Sequence, residues 1–352
     1  MNEVINMKTL KLAFLGFGNC GQALAKLLSE KHDEIVSKYE VDVKVIAIAT
    51  ASKGNLVYDD GIDMKYVLDD LSKNRKFTDG KMLSNMSTMD IVDKADYDAI
   101  CEMTPLNIMT GEPAATHLRH AIARKKHVIT ANKGPIAWYY DEIKKLAKDA
   151  GVGFFYETVV MDGTPVFNLT EHTLKMAKVT EITGILNSTT NFILEEMAKG
   201  CDYDDIIRRG RERGFIEADS AMDIEGYDAA AKITALLNVL MDAKITPDKV
   251  DRKGIEDITE KDIEEARERG NLIKLLCRGY IDENGEVHAE VKPKEVPFGD
   301  MLATITSTDS VVSITTDLMG KISVIEHAPE IEQTAYGVFG DILRVIEITE
   351  EG

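Results

Sequence analysis

Residues 10–16 read LKLAFLG and run directly into Gly16-Phe17-Gly18-Asn19-Cys20-Gly21. The short apolar run has the length of a buried strand, and the glycines stand where a strand turns into a helix. A helix is expected from about residue 20 to 37, then a second strand over 41–50 (VDVKVIAIAT), rich in β-branched residues. Strand, glycines, helix and strand within fifty residues is the context in which a G-x-G-x-x-G pattern signifies dinucleotide binding. Gly16 allows the tight turn, Gly18 lets a pyrophosphate approach the backbone, and Gly21 allows the helix to pack closely on the strand. Amide N–H groups at the helix start, around Asn19 and Cys20, then face the anion.

Working outward, strands are expected at 99–103, 127–130 and 153–157, alternating with helical stretches. That alternation predicts βαβ units in a parallel sheet with both faces covered. Beyond residue 178 the pattern changes. A strand at 179–187 precedes helices around 192–199, 203–213 and 226–242. Strands at 271–281 and 286–292 then flank Asp-Glu-Asn-Gly, an Asn-Gly step that favours a tight hairpin. Further strands at 310–317 and 321–326 precede a last apolar helix near 331–346. The expected fold is α/β: a Rossmann-type, doubly wound parallel sheet over residues 1–150 plus an α+β domain over 151–329. The helix at about 330–352 is expected to rejoin the first domain.

Composition bounds the function. Lys and Arg number 42 against 61 Asp and Glu in 352 residues, a formal charge of −19. A phosphate-backbone footprint needs clustered cations, so nucleic acid is not an expected partner, nor is an anionic membrane surface. No apolar stretch has the length of a membrane span, and the first eleven residues lack the apolar core of a signal peptide. Cys20, Cys101, Cys201 and Cys277 are scattered, with no Cys-x-x-Cys pair. A cytoplasmic, reduced protein is expected.

Two features carry chemistry. At the end of the second strand, where an acid usually bonds the adenosine ribose, the chain reads Ala49-Thr50-Ala51-Ser52-Lys53. Ser52 and Lys53 suit a 2′-phosphate and favour NADP(H) over NAD(H). The second feature is Asp228 and Lys232, four apart on a helix with no other charge from 229 to 241. Burying such a pair is costly unless each ion is partnered, which marks it as a site candidate as much as a structural pair. Just upstream, Glu217, Asp219, Asp223 and Glu225 crowd before Asp228. Their spacing matches no EF-hand loop, and a metal site, a pocket for a cationic group and a solvated acidic loop all remain open.

Three blocks make the chain resemble the homoserine dehydrogenase family. These are the glycine turn; Glu102-Met-Thr104-Pro105 with Gly111-Glu-Pro113-Ala114, His117 and the run 127–135 (HVITANKGP); and Asn187-Ser-Thr-Thr-Asn191 continuing to Asp223, Gly226, Asp228 and Lys232. The resemblance implies reversible NAD(P)H-dependent reduction of L-aspartate 4-semialdehyde to L-homoserine, in threonine and methionine biosynthesis, by a homodimer. It implies that Glu217 receives the substrate ammonium, with Asp223 and Thr189 also on the substrate. Asp228 and Lys232 would flank the reacting oxygen, and Lys133 would serve both nicotinamide and substrate. Thr104, Pro105, Ala131 and Asn132 would complete the cofactor contacts. Backbone carbonyls of Val160, Asp162 and Thr164 would hold a monovalent cation such as sodium.

The chain departs from the family where Met161 and Asp162 replace glycines, where Ser188 replaces the glycine of Asn-Gly-Thr-Thr-Asn, and where Glu330–Thr334 replaces a glycine-rich step. Asp341 is retained. No ACT regulatory domain is expected. The departures keep two alternatives open: a dehydrogenase of the same fold acting on another small amino or hydroxy acid, and a catalytically silent NADP-binding protein.

Overall fold

A computed structural model describes residues 7–213, 216 and 220–350. The chain divides into two compact units. The first comprises Met1–Pro135, Asp141–Gly163 and Glu330–Gly352; the second comprises Ile136–Tyr140 and Thr164–Pro329.

The first unit is built on strands β1 (Lys8–Leu15), β2 (Val41–Ala49), β3 (Asn55–Val57), β4 (Leu83–Ser84), β5 (Ala99–Glu102), β6 (His127–Thr130) and β7 (Phe154–Phe155), in the order β4-β3-β2-β1-β5-β6-β7. Strands β2, β1, β5, β6 and β7 are parallel. The order reverses between β1 and β5, the switch point at which open α/β sheets form a crevice at the carboxyl ends of their strands. Strands β3 and β4, which no sequence pattern predicts, are antiparallel to their neighbours. The cause is local: Thr50 accepts the Lys53 N–H at 2.9 Å and donates to the Gly54 carbonyl at 2.7 Å. This turn is too short for a crossover, so the chain doubles back.

The central strands are apolar on both faces, with Leu12, Ala13, Phe14 and Leu15 of β1 fully buried. The Asn19–Tyr39 helix buries Leu24, Ala25, Leu28 and Ile35 in the same core. The Ile331–Glu350 helix contributes Ala335, Val338, Phe339, Ile342, Val345 and Ile346 to it.

The second unit carries β8 (Val179–Ile185), β9 (Asp251–Arg252), β10 (Asn271–Ile281), β11 (Val287–Pro297), β12 (Ser310–Thr316) and β13 (Gly320–Glu326), in the order β13-β12-β8-β10-β11-β9. All pairs are antiparallel except β11 with β9. The β10–β11 connection covers residues 282–286, one residue more than the Asp-Glu-Asn-Gly loop expected. Ile281 pairs with Val287, and Asp282 bonds Glu286 across the loop. Gly285 takes left-handed backbone with φ +83°, whereas Asn284 does not, so the paired left-handed residues of a type I′ turn are absent.

On one face of this sheet lies the Tyr227–Met241 helix, buried along almost its whole length as its apolar sequence requires. The Ser188–Ala198 helix starts four residues earlier than periodicity suggested. Asn187 caps it, accepting the Thr190 N–H at 2.9 Å, and a cap fixes a helix start where apolar spacing cannot.

Candidate active site

Within the first unit the cofactor residues expected from sequence gather at the switch point. Gly16 has φ +98°, and a β-carbon there would lie 2.3 Å from the Met103 carbonyl oxygen, so only glycine fits between the ends of β1 and β5. A β-carbon on Gly21 would approach the Gly16 carbonyl to 2.8 Å, which ties the helix closely to the turn. Gly18 is the N-cap of the Asn19–Tyr39 helix, carries no side-chain cap and has open space around it. An uncapped helix N-terminus behind a glycine turn suits a pyrophosphate.

Lys53 is folded over this turn, its ammonium donating to the Phe17 carbonyl at 3.0 Å, while Ser52 is exposed. Cys20 sits at the helix start with its thiol pushed up to about 12 by burial and, secondarily, by the Asp162 carboxylate.

Opposite the glycine turn, the ends of β5 and β6 are laced together. Asn132 donates from Nδ2 to the Thr104 carbonyl at 3.3 Å and accepts the Gly134 N–H at 3.1 Å, capping the Lys133–Ala150 helix. Lys133 is thus the first residue of that helix, half-buried beside Asn132; Ala131 is half-buried and Pro105 exposed. Beneath them lies Glu102, a fully buried carboxylate that the sequence reading quoted but gave no role.

The stretch that departs from the family pattern has its own logic. Asp162 keeps left-handed backbone, φ +43°, and Asp is among the residues that tolerate it. Its carboxylate accepts the hydroxyl of Thr334, and the Thr334 carbonyl accepts the Thr158 hydroxyl at 3.2 Å. Two departures, one on each side of a long chain excursion, are therefore bonded to each other. The retained Asp341 is fully buried and accepts the Glu157 N–H at 3.0 Å. Met161 is buried. The Thr164 carbonyl accepts the Val166 N–H at 2.9 Å.

In the second unit, Asp228 and Lys232 form the expected pair, Nζ to Oδ2 at 3.4 Å, with both side chains largely buried. What sequence did not reveal is how they are held. The Lys232 ammonium donates to the Leu186 carbonyl at 2.7 Å. Asn187 donates from one Nδ2 to both Asp223 Oδ1 at 2.7 Å and Asp228 Oδ2 at 3.0 Å. One amide thus bridges two of the acids whose purpose was open, and Thr189 is buried in the next turn. The signal was the Asn at the start of the 187–191 motif, but its partners lie 36 and 41 residues away. Cys277 is buried nearby, its thiol pushed up to about 12 by burial, with Lys232 pulling down and Asp228 pushing up. Glu217 and Asp219 lie outside the described residues.

A second lysine escaped notice altogether. Lys274 on β10 is 2% exposed. It donates to Asn191 Oδ1 at 2.8 Å and the Ile305 carbonyl at 2.6 Å, and Asn191 donates in turn to the Ser307 carbonyl at 3.0 Å. This anchors the far end of the 187–191 motif. Burial lowers the Lys274 ammonium from 10.5 to about 8; Glu195 opposes the shift and Lys199 adds to it.

Comparison with known proteins agrees with this geometry. Residues 165–343 match the family described as homoserine dehydrogenase, and residues 16–157 match the homoserine dehydrogenase NAD-binding domain. The chain is 36% identical over 344 residues to the homoserine dehydrogenase of Methanocaldococcus jannaschii, covering 97% of this chain and 100% of that one. It is 33% identical over 344 residues to the NAD(+)-dependent homoserine dehydrogenase of Pseudomonas canavaninivorans, covering 96% and 97%. A solved hyperthermophilic archaeal homoserine dehydrogenase in complex with NADPH is 26% identical with a TM-score of 0.81, covering 96% and 97%.

Proposed function

The chain belongs to the homoserine dehydrogenase family, and we propose from that premise that it interconverts L-aspartate 4-semialdehyde and L-homoserine, with NADP(H) favoured over NAD(H). The observation that carries the reading is the Asp228–Lys232 pair, buried on one helix and held by the Leu186 carbonyl and Asn187. The nicotinamide, when bound, supplies or accepts the hydride. Lys232 stabilises the oxygen that becomes an alkoxide on reduction and donates a proton to it, and the reverse applies on oxidation. Asp228 keeps that ammonium charged and oriented. Asp223, Thr189 and Glu217 hold the polar end of the amino acid, and Lys133 supplies a second ammonium on the cofactor side.

The cofactor fits the first unit: Gly16, Gly18, Asn19, Cys20 and Gly21 for the pyrophosphate, and Thr104, Pro105, Ala131 and Asn132 toward the nicotinamide. Lys53 lies beyond the end of β2 with its ammonium at the glycine turn, and with Ser52 it supports 2′-phosphate recognition. Relatives' names include both an NAD(+)-dependent enzyme and an NADPH complex, so the choice rests on these two residues. Carbonyl oxygens of Val160, Asp162 and Thr164 have the chemistry a hard cation such as sodium prefers; Thr164 has one lone pair engaged by Val166.

The protein is further proposed to be a cytoplasmic homodimer. Among the described residues no helix is long and apolar enough to cross a membrane. The sheet face opposite the Tyr227–Met241 helix, with Thr183, Arg278, Tyr280 and Thr315, would form the dimer contact.

The test is homoserine oxidation at alkaline pH with NADP+ and NAD+, with and without added sodium or potassium. Lys53→Ala should lower the NADP+ preference. Absence of turnover with either cofactor would overturn the substrate assignment.

A further inference from the structure

Glu102 ends β5 at 0% exposure, in a position where an apolar residue would be cheaper to bury. Its hydrogen bonds show where that cost is directed. Oε1 accepts the Thr104 N–H at 3.2 Å and also the Thr104 hydroxyl. Oε2 lies 3.4 Å from the Thr130 hydroxyl, and the buried His117 sets Nδ1 3.5 Å from Oε1. Oε1 takes the Thr104 N–H and is therefore an acceptor, and a threonine hydroxyl has one proton. With that proton given to Glu102, the half-buried Thr104 hydroxyl offers a ligand nothing but lone pairs.

We propose that Glu102 is a positioning residue that fixes the Thr104 hydroxyl as an acceptor, and that the donor it selects is the carboxamide NH2 of the nicotinamide. This rests on the reading of Thr104 as a nicotinamide-side residue. That reading has support of its own: Thr104 follows β5 at the switch point, and its backbone nitrogen would be 3.0 Å from a β-carbon on Gly16. Glutamine at position 102 keeps its amide oxygen toward Thr104, because the Thr104 N–H at the same point requires an acceptor. Leucine removes the acceptor and frees the Thr104 hydroxyl to turn its proton outward.

The experiment compares equilibrium binding of NADP+ and its 3-acetylpyridine analogue, which keeps the carbonyl but has methyl in place of NH2. The same pair is run for NAD+. The wild type is expected to bind the natural dinucleotide about tenfold tighter than the analogue, the worth of one hydrogen bond. Glu102→Leu should erase or invert that ratio, and Glu102→Gln, which keeps the acceptor, should preserve it. Thr104→Ser should keep it, and Thr104→Val should abolish it without favouring the analogue. A role confined to holding the fold would weaken both dinucleotides alike and leave the ratio unchanged. An unchanged ratio in Glu102→Leu, or a preserved one in Thr104→Val, would overturn the inference. Should Glu102→Leu fail to fold, the two Thr104 variants decide it. Wild-type protein that binds neither NADP+ nor NAD+ would instead overturn the cofactor reading on which it stands.

Discussion

Replacing Lys274 by methionine should change how stability depends on pH. The ammonium is lowered from 10.5 to about 8 by burial. Between those values the unfolded chain holds a proton that the native chain has released, so unfolding free energy rises with pH. The contribution is complete above 10.5 and lost as pH falls through about 8. At about 1.36 kcal/mol per pH unit, the gap between the two values amounts to about 3 kcal/mol. Lys274→Met removes that titration, but strips a donor from Asn191 Oδ1 and the Ile305 carbonyl at every pH. Each lost partner costs about 1–3 kcal/mol. Near neutrality the two effects oppose each other, and the variant should be close to wild type in stability. Toward about pH 10.5 the relief disappears, and the variant should fall behind by about 3 kcal/mol more. Urea unfolding of both proteins across this range measures the difference directly, since other titrations are common to both. A difference that stays flat with pH would mean that Lys274 titrates as in water, and the reasoning from its burial would be wrong.

Other outcomes follow from the same contacts. Lys232→Met should cut turnover about 10²–10⁴-fold while leaving NADP+ affinity within error, read by steady-state kinetics beside equilibrium binding. Asn187→Ala releases both Asp223 and Asp228 and should raise the homoserine KM as well as lower kcat; an effect on kcat alone would argue that the bridge is not used for substrate. Gly21→Val places carbon against the Gly16 carbonyl and should weaken cofactor binding at least about tenfold, with loss of stability of about 1–3 kcal/mol. Burial raises the thiols of Cys101 and Cys277, so neither should react with a disulfide reagent until denaturant is added, whereas a folded-state burst from either would contradict their placement.

The parallel core of the first unit was legible because its strands are apolar on both faces and the glycine turn has a spacing that few structures share. β6 falls where it was expected, and β1, β2 and β5 lie within two residues of expectation at each end. The edge strands β3 and β4 were not, since three- and two-residue strands carry no periodicity. Asp228 and Lys232 were found because charge on an otherwise apolar helix is a local anomaly. Their anchors were not, because Leu186 acts through a carbonyl that any residue possesses. Lys274 sits among Ile and Leu on β10, and nothing in the sequence states whether such a lysine reaches solvent or Asn191. Glu102 stands in plain view two residues before Thr104, but its complete burial, with Thr130 and His117 against it, is not readable from the sequence.

The return of the Ile331–Glu350 helix to the first unit has a consequence for synthesis. Its apolar face completes a core whose other members, such as Leu12 and Phe14, are made first. Between Gly163 and Glu330 the ribosome must add the whole of Thr164–Pro329. At about 5–20 residues per second this takes roughly 10–30 s. Until the Ile331–Glu350 helix emerges, the dinucleotide half lacks part of its core, whereas every strand of the intervening unit is in place by residue 326.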